Sequence, residues 1–135
     1  MTGSSLFAYG TLMSEEILRG VTGKTFSRDT AVLHGFGRYA LRGEVYPGLV
    51  EETNGSVEGV VYYRIPDAAW RLLDRFEGSG YRKIDVRILC GDTAVAARTY
   101  LLRPELHSLS QTPWSFEAFM RTDFRSFSAA IPPLS

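Results

Sequence analysis

The sequence predicts an α+β protein whose sheet is largely antiparallel and is closed, or nearly closed, into a small barrel. Several apolar runs of strand length are separated by short turn signals, so neighbouring strands are expected to pair antiparallel. Only a few short stretches carry the helical period of apolar residues. The chain has 135 residues, which suits a single domain over 1–135 with its own hydrophobic core.

The composition limits the classes of partner. Lysine plus arginine equals aspartate plus glutamate at 15 each, so the balance gives no electrostatic reason to bind nucleic acid or an anionic membrane. No apolar run approaches the about 20 residues of a membrane helix, and the first residues lack a secretory signal pattern. The single cysteine, Cys90, excludes an intrachain disulfide. We expect a soluble, cytoplasmic protein without nucleic-acid or membrane partners, and no pattern indicates its oligomeric state.

The first elements are a short strand and a short helix. Leu6–Tyr9 is apolar and has the length of a strand. Ser14 is a suitable cap for a helix that runs to about Arg19. Gly20 and Gly23 are expected to end that helix.

The middle of the chain reads as strands and turns. Ala31–Leu33 and Tyr39–Leu41 are predicted to be two short strands. Leu49–Glu52 and Val57–Ile65 flank Asn54-Gly55, a dipeptide typical of hairpin turns, which predicts a hairpin at that position. The second of these runs is apolar at nearly every residue and is expected to be a central strand.

A helix is predicted to follow, starting at Pro66 and Asp67 with Asp67 as its cap and ending at Gly78. Its apolar residues recur at the spacing of one helix face. They are Ala69, Leu72, Leu73 and Phe76.

The last elements are a hairpin and a terminal helix. Tyr81–Leu89 alternates between apolar and polar residues, as a half-exposed strand does, and Gly91-Asp92 turns the chain into a second strand, Thr93–Leu102. Pro113–Phe127 reads as a helix. Its inward residues are predicted to be Phe116, Phe119 and Met120.

Three kinds of site have little support. His34 and His107, the two histidines, are far apart and have no clustered partners, so no metal site is expected. Cys90 lies at a strand end and is interpreted as a structural thiol. The run GFGRYA at 35–40 imitates a dinucleotide-binding loop but follows no strand–helix unit, so no such cofactor is expected.

Glu77 is the strongest candidate for chemistry. It follows Leu73 by four residues and therefore continues the apolar face of its helix. Burial and the negative end of the helix dipole would both raise its pKa, which suits a carboxyl to proton transfer near neutral pH. The alternative is that the helix ends at Glu77 and the side chain reaches solvent.

The loop Tyr9–Leu12 is the second candidate. Gly10 lets a ligand approach the backbone, and the helix start that follows leaves amides free for an anion or a polarised carbonyl. The alternative is a plain connector, because many strand–helix turns carry a glycine and bind nothing.

Five segments, in this order, resemble the gamma-glutamylcyclotransferase-like family over nearly the whole chain. The two most specific are Tyr-Gly-Ser/Thr-Leu and Asp-x-x-Glu-Gly followed by Tyr-Arg. The segments are YGTLM, VYPGLV, VEGVVYYRI, LLDRFEGSGYRKIDV and AARTYL.

The resemblance implies a small mixed barrel with flanking short helices. It also implies a cavity whose floor is the loop formed by Tyr9, Gly10, Thr11 and Leu12 and whose acid and base is Glu77. Members of the family release 5-oxoproline from gamma-glutamyl amino acids, gamma-glutamyl-lysine amides or gamma-glutamyl intermediates of antibiotic synthesis, without metal or cofactor. An alternative is a non-catalytic module on the same fold that binds a small ligand or a partner.

Three further residues are assigned to substrate binding by this resemblance. Tyr46 and Pro47 would shape the pocket wall, although they also fit an aromatic-anchored turn over Tyr46-Pro47-Gly48. Tyr81 would line the cavity or form a hydrogen bond near Glu77, although an aromatic residue that starts a strand also packs on a barrel.

Overall fold

A five-stranded barrel forms the body of the protein in the computed structural model, which describes residues 3–105 and 108–131. The strand order is β3-β1-β5-β4-β2, and a pairing of β2 with β3 closes the ring. A sixth strand, β6 (Leu109–Pro113), pairs with the second half of β2. The barrel strands are β1 (Ser4–Ala8), β2 (Arg28–Leu41), β3 (Pro47–Ile65), β4 (Tyr81–Cys90) and β5 (Thr93–Leu102).

The barrel is mixed because one neighbouring pair runs parallel. Leu6 of β1 lies opposite Arg98 of β5 in the parallel pairing. The other pairings among the described strands are antiparallel. This confirms the expected α+β class and the mixed, largely antiparallel barrel with short flanking helices.

The region from 28 to 65 forms one long hairpin. β2 and β3 pair from Arg28 opposite Tyr62 to Ala40 opposite Pro47. The two short strands predicted at 31–33 and 39–41 are therefore parts of one strand. The turn lies between Leu41 and Pro47, where Gly43 has φ +77°, so Pro47 begins a strand and is not the centre of a turn.

The prediction of a hairpin turn at Asn54-Gly55 is wrong. The pair register shifts there, because His34 faces Ser56 while Phe36 faces Glu51. Asn54 adopts φ +67°, the left-handed conformation that hairpin turns and bulges both use. The dipeptide thus bends a continuous strand and increases its twist, which helps the long hairpin to curve around the barrel.

Two helical segments follow β1. A single 3₁₀ turn covers Thr11–Met13, and α1 (Glu15–Thr22) begins after Ser14, whose side chain accepts a hydrogen bond of 3.2 Å from the Ile17 amide. The cap is as predicted, and Gly23 ends the helix with φ +75°. Gly20 lies inside the helix, where it keeps helical geometry, so the expected end at that residue is wrong.

The second helix carries Glu77 at its last position. α2 (Asp67–Glu77) follows Pro66 and ends at Gly78, which has φ +78°. Asp67 is the first helical residue and makes no capping hydrogen bond, so the predicted cap is wrong. Its negative charge still lies in the first turn, where the helix dipole favours it.

The C-terminal part of the described chain forms two helices where one was predicted. α3 (Phe116–Thr122) and α4 (Phe124–Ala129) are separated at Asp123. Phe119 is buried, but Met120 is 38% exposed, so its inward assignment is wrong. The hairpin of β4 and β5 agrees with the prediction.

Strand β1 separates two hydrophobic clusters. Alternate residues of a strand point to opposite faces, so Leu6 and Ala8 join a cluster that includes the helices, while Phe7 joins a cluster built from strands inside the barrel. The loop Tyr9–Leu12 begins where β1 ends. No helix in the described parts of the chain is long and apolar enough to cross a membrane.

Candidate active site

A cavity of about 300 Å³ lies where β1 ends, between the barrel and helices α2 and α4. It brings together every residue that the sequence assigns to the site. These are Tyr9, Gly10, Thr11, Leu12, Tyr46, Pro47, Glu77 and Tyr81. Other wall residues are Leu6, Phe7, Ala8, Phe76, Tyr100, Phe127, Ala130 and Ile131.

The helix face of α2 determines where Glu77 lies. Ala69, Trp70 and Leu73 are buried on one side of the helix, and Glu77 follows Leu73 by one turn. Glu77 is half-buried and lines the cavity. Burial around its carboxyl raises the pKa of Glu77 from the ordinary 4.5 to about 8, because desolvation disfavours the charged form. The group is therefore tuned to exchange a proton near neutral pH.

The loop after β1 lines the same cavity. The hydrogen bonds of the 3₁₀ turn begin with the Met13 amide, which donates to the Gly10 carbonyl oxygen at 3.0 Å. The amides of Thr11 and Leu12 therefore have no partner within the turn. A Cβ added at Gly10 would lie 3.1 Å from two ring carbons of Pro47, so this wall is closely packed.

Tyrosine side chains fix the remaining geometry around Glu77. The Tyr9 hydroxyl donates to the Tyr100 carbonyl oxygen at 2.5 Å, and the Tyr81 hydroxyl donates to the Pro47 carbonyl oxygen at 2.8 Å. Burial first, and the Glu77 carboxyl second, raise the pKa of both Tyr9 and Tyr81. These hydroxyls are neutral hydrogen-bond donors at physiological pH.

Tyr100 also lines the cavity, although the sequence assigns no role to this residue of the AARTYL segment. Its hydroxyl donates to Oδ1 of Asp74 at 2.7 Å, and Oδ2 of Asp74 forms an ion pair of 3.0 Å with Lys83. Asp74 lies three residues before Glu77, so this network ties helix α2 to strand β5 beside the cavity.

No sequence pattern predicts the wall residues that come from α4 and from the two positions after it. Phe127, Ala130 and Ile131 reach the cavity only because the C-terminal helices fold back over the barrel. A contact of this kind depends on packing between distant segments, and no local pattern in the sequence predicts it.

The described residues contain no group of three or more His, Cys, Asp or Glu side chains arranged to hold a metal ion. His34 is exposed, and His107 lies outside the described residues. Cys90 is half-buried, with its Sγ 3.7 Å from the Tyr63 hydroxyl.

Comparison with known proteins agrees with the resemblance seen in the sequence. A family model described as "Gamma-glutamyl cyclotransferase, AIG2-like" matches residues 6–116. AIG2-like protein C of Arabidopsis thaliana is 31% identical over 131 residues, which cover 93% of this chain and 74% of that protein. A solution structure of another Arabidopsis thaliana protein has a TM-score of 0.72 at 26% identity and covers 94% of this chain and 87% of its own.

A solved structure named gamma-glutamyl cyclotransferase shares the fold, with a TM-score of 0.67 at 20% identity over 98% of this chain and 89% of its own. The resemblance seen in the five sequence segments is thereby confirmed. The chain belongs to the gamma-glutamyl cyclotransferase, AIG2-like family.

Proposed function

We propose that the protein cyclises a gamma-glutamyl amide or gamma-glutamyl amino acid and releases 5-oxoproline and a free amine. The observation that carries this proposal is the position of Glu77, whose pKa is raised to about 8, on the same cavity as the loop Tyr9–Leu12. Membership of the family supports the reaction class.

The reaction needs no nucleophile from the protein. The α-amine of the glutamyl group attacks its own γ-carbonyl carbon, and a five-membered ring closes as the new C–N bond forms. The bond from that carbon to the leaving nitrogen then breaks. Holding the two reacting atoms in one molecule removes up to about 7–11 kcal/mol of the barrier in well-oriented cases.

Glu77 is proposed as the group that moves the proton. An α-amine has an ordinary pKa of about 8, so most of it is protonated at neutral pH and cannot attack. The Glu77 carboxyl has a pKa of about 8, so proton transfer between the two groups is close to thermoneutral. The carboxylate takes one proton from the ammonium so that the amine can attack, and the attacking nitrogen loses a second proton as the ring closes. Glu77 passes both protons to the leaving nitrogen, which departs as an ammonium, and the carboxylate is restored.

The loop is proposed to stabilise the charge that develops on the γ-carbonyl oxygen. The amides of Gly10, Thr11 and Leu12 would hold that oxyanion or the substrate carboxylate. One such donor commonly contributes a factor of about 10²–10³ to the rate. Tyr9 and Tyr81 would complete the polar wall, while Tyr46 and Pro47 would contact the substrate from the opposite side.

The test is incubation of the protein with gamma-glutamyl amides and gamma-glutamyl amino acids, with 5-oxoproline measured by chromatography. A Glu77→Gln variant that stays folded should lose about 10²–10⁴ in turnover, since the proton carrier is removed. Glu16→Gln, at an exposed position of α1, is the matched control and should keep full activity. Full turnover by folded Glu77→Gln would exclude the assigned role, and tight binding without 5-oxoproline would favour a binding module.

A further inference from the structure

We infer that the residues of α4 and its C-terminal extension select the leaving group, and that the preferred substrate is the gamma-glutamyl amide of an uncharged, apolar primary amine. This inference rests on the proposed function and specifies its substrate class. The amine part of the substrate would lie against the outer part of the cavity, here called the rim. The rim residues are Tyr46, Phe76, Phe127, Ala130 and Ile131.

Burial orients the substrate in the cavity. Tyr9, Thr11 and Leu12 at the loop are buried, whereas the rim residues are half-buried or, at Ala130, exposed. The glutamyl group carries an ammonium and a carboxylate, and the loop amides, the Tyr9 and Tyr81 hydroxyls and Glu77 lie at the inner end, whereas the Tyr46 hydroxyl is the one polar group among the rim side chains. The leaving amine therefore faces the rim, whose surface is aromatic and aliphatic and favours an apolar group.

Charge near the rim disfavours a leaving group that carries a carboxylate. No lysine or arginine lines the cavity within residues 3–105 and 108–131. The carboxylate of Glu44 lies close to the Tyr46 hydroxyl, where it adds to the effect of burial in raising the pKa of Tyr46. A leaving amino acid would bring its own carboxylate toward Glu44 and Glu77 without a cation to pair it.

Phe127 is held in place by other aromatic rings. Its ring centroid lies 6.4 Å from Tyr46, 6.2 Å from Phe76 and 5.5 Å from Phe119, each in an edge-to-face arrangement. These neighbouring rings therefore fix the position of Phe127 in the cavity wall, and no bound ligand is needed to place it.

The C-terminal part of the rim also lies beyond the segment that the family model matches. The family model ends at Phe116, whereas Phe127, Ala130 and Ile131 come later in the chain. The floor residues and Glu77 lie inside the matched segment. A reaction centre inside the matched segment joined to a wall outside it is the arrangement expected where relatives differ in leaving group.

The experiment compares three substrates that differ in one feature at a time. Gamma-glutamyl-phenethylamide and gamma-glutamyl-phenylalanine differ by one carboxylate, and gamma-glutamyl-ethylamide lacks the phenyl ring. We expect kcat/KM for the phenethylamide to exceed that for the ethylamide by at least about tenfold, from apolar contact with the rim. The kcat/KM for the phenethylamide should also exceed the kcat/KM for the phenylalanine derivative by about tenfold or more, because the carboxylate of that derivative has no cation to pair with.

Two variants test whether the rim causes these preferences. Phe127→Ala should reduce the preference for the phenethylamide over the ethylamide several-fold, because the lost ring contacts the phenyl group that the ethylamide lacks. Phe124→Ala is the matched control, because Phe124 is a half-buried phenylalanine of the same helix that packs on Phe119 and does not line the cavity. Ala130→Arg places a cation at an exposed rim position and should raise relative turnover of the phenylalanine derivative.

The outcomes separate this inference from the proposed function. Turnover of all three substrates at similar kcat/KM, or a preference for the phenylalanine derivative, would overturn the selection by the rim and leave the cyclisation in place. If Phe127→Ala does not fold, an unchanged preference in Ala130→Arg would overturn it. If no gamma-glutamyl compound gives 5-oxoproline, the proposed function fails and this inference fails with it.

Discussion

The guanidinium of Arg38 donates a hydrogen bond of 2.9 Å through Nη1 to the carbonyl oxygen of Tyr9. The same nitrogen lies 2.9 Å from the carbonyl oxygen of Glu58, so Arg38 joins β2, β3 and the end of β1. In a trans peptide the C=O and the next N–H point in opposite directions. With its carbonyl held by Arg38, the Tyr9–Gly10 peptide therefore directs the Gly10 amide away from Arg38.

Replacing Arg38 should disturb the Gly10 amide, which is proposed to bind the substrate. In Arg38→Met the Tyr9 carbonyl loses its fixed partner, so we expect kcat to fall about tenfold to 100-fold, with a smaller change in KM. The matched control is Arg28→Met, because Arg28 also donates to a backbone oxygen, that of Met13 at 3.1 Å, and does not line the cavity. The amide shift of Gly10 in an NMR spectrum should move only in the Arg38 variant; an unmoved shift with normal kcat would contradict the expectation.

The rate should rise with pH and level off above about pH 8. The substrate α-amine, with a pKa of about 8, must lose a proton before it can attack, and Glu77, whose pKa is also about 8, must be a carboxylate to accept the next one. Below that pH both groups are protonated and no base is present, whereas above it the attacking nitrogen itself supplies the proton for the leaving nitrogen. The kcat/KM profile of the free protein and substrate should therefore show a rise and a plateau. A flat profile between about pH 6 and about pH 9 would exclude Glu77 as the titrating group.

Stability should depend on pH through the same carboxyl. The pKa of Glu77 is raised from 4.5 to about 8 on folding, so between these values the folded protein binds a proton that the unfolded chain lacks. The free energy of unfolding therefore falls as pH rises through this window and levels off above it. Glu77→Gln lacks this loss, and it should gain on the order of 3 kcal/mol relative to the wild type between about pH 5 and about pH 9. Urea unfolding at both pH values measures the difference in the free energy of unfolding between the variant and the wild type. This difference would not change with pH if the carboxyl were solvated.

Two glycines should respond to alanine in opposite ways. In Gly10→Ala the new Cβ would lie 3.1 Å from the Pro47 ring, so the loop or the proline must shift and turnover should fall. In Gly20→Ala the new Cβ meets nothing within 4 Å inside helix α1, so the variant should gain about 0.5–1 kcal/mol and keep its activity. Thermal unfolding and turnover of the two variants check both statements. An active Gly10→Ala protein would show that the loop has no close geometric requirement.

Local patterns predicted the elements that local chemistry determines. Ser14 capped its helix, Gly78 ended α2, and the alternation of Tyr81–Leu89 gave the correct faces. The errors arose where one local signal serves two structures. Asn54 takes the left-handed conformation that its dipeptide indicates, but in a bulge of a continuous strand.

The sequence predicts the site only at residues whose type contradicts their local surroundings. An acid on the apolar face of a helix draws attention to Glu77, and a glycine between a strand and a helix start draws attention to Gly10. Neither Phe127 nor Ile131 shows such a contradiction, because an apolar residue in a C-terminal helix is ordinary. Their place in the wall follows from the route of the chain over the barrel, which only tertiary structure reveals.

The parallel contact of Leu6 with Arg98 has a consequence for how the molecule assembles. The pairing of β1 with β5 joins distant parts of the chain, because Thr99 Oγ1 donates to the Phe7 carbonyl oxygen at a separation of 92 residues. Ring closure of this kind is an entropically slow, late event. Since the loop 9–12 continues directly from β1 and Tyr100 of β5 also lines the cavity, a chain that has not paired these strands lacks the complete cavity wall. Recovery of the proposed activity during refolding would therefore report this late step of folding.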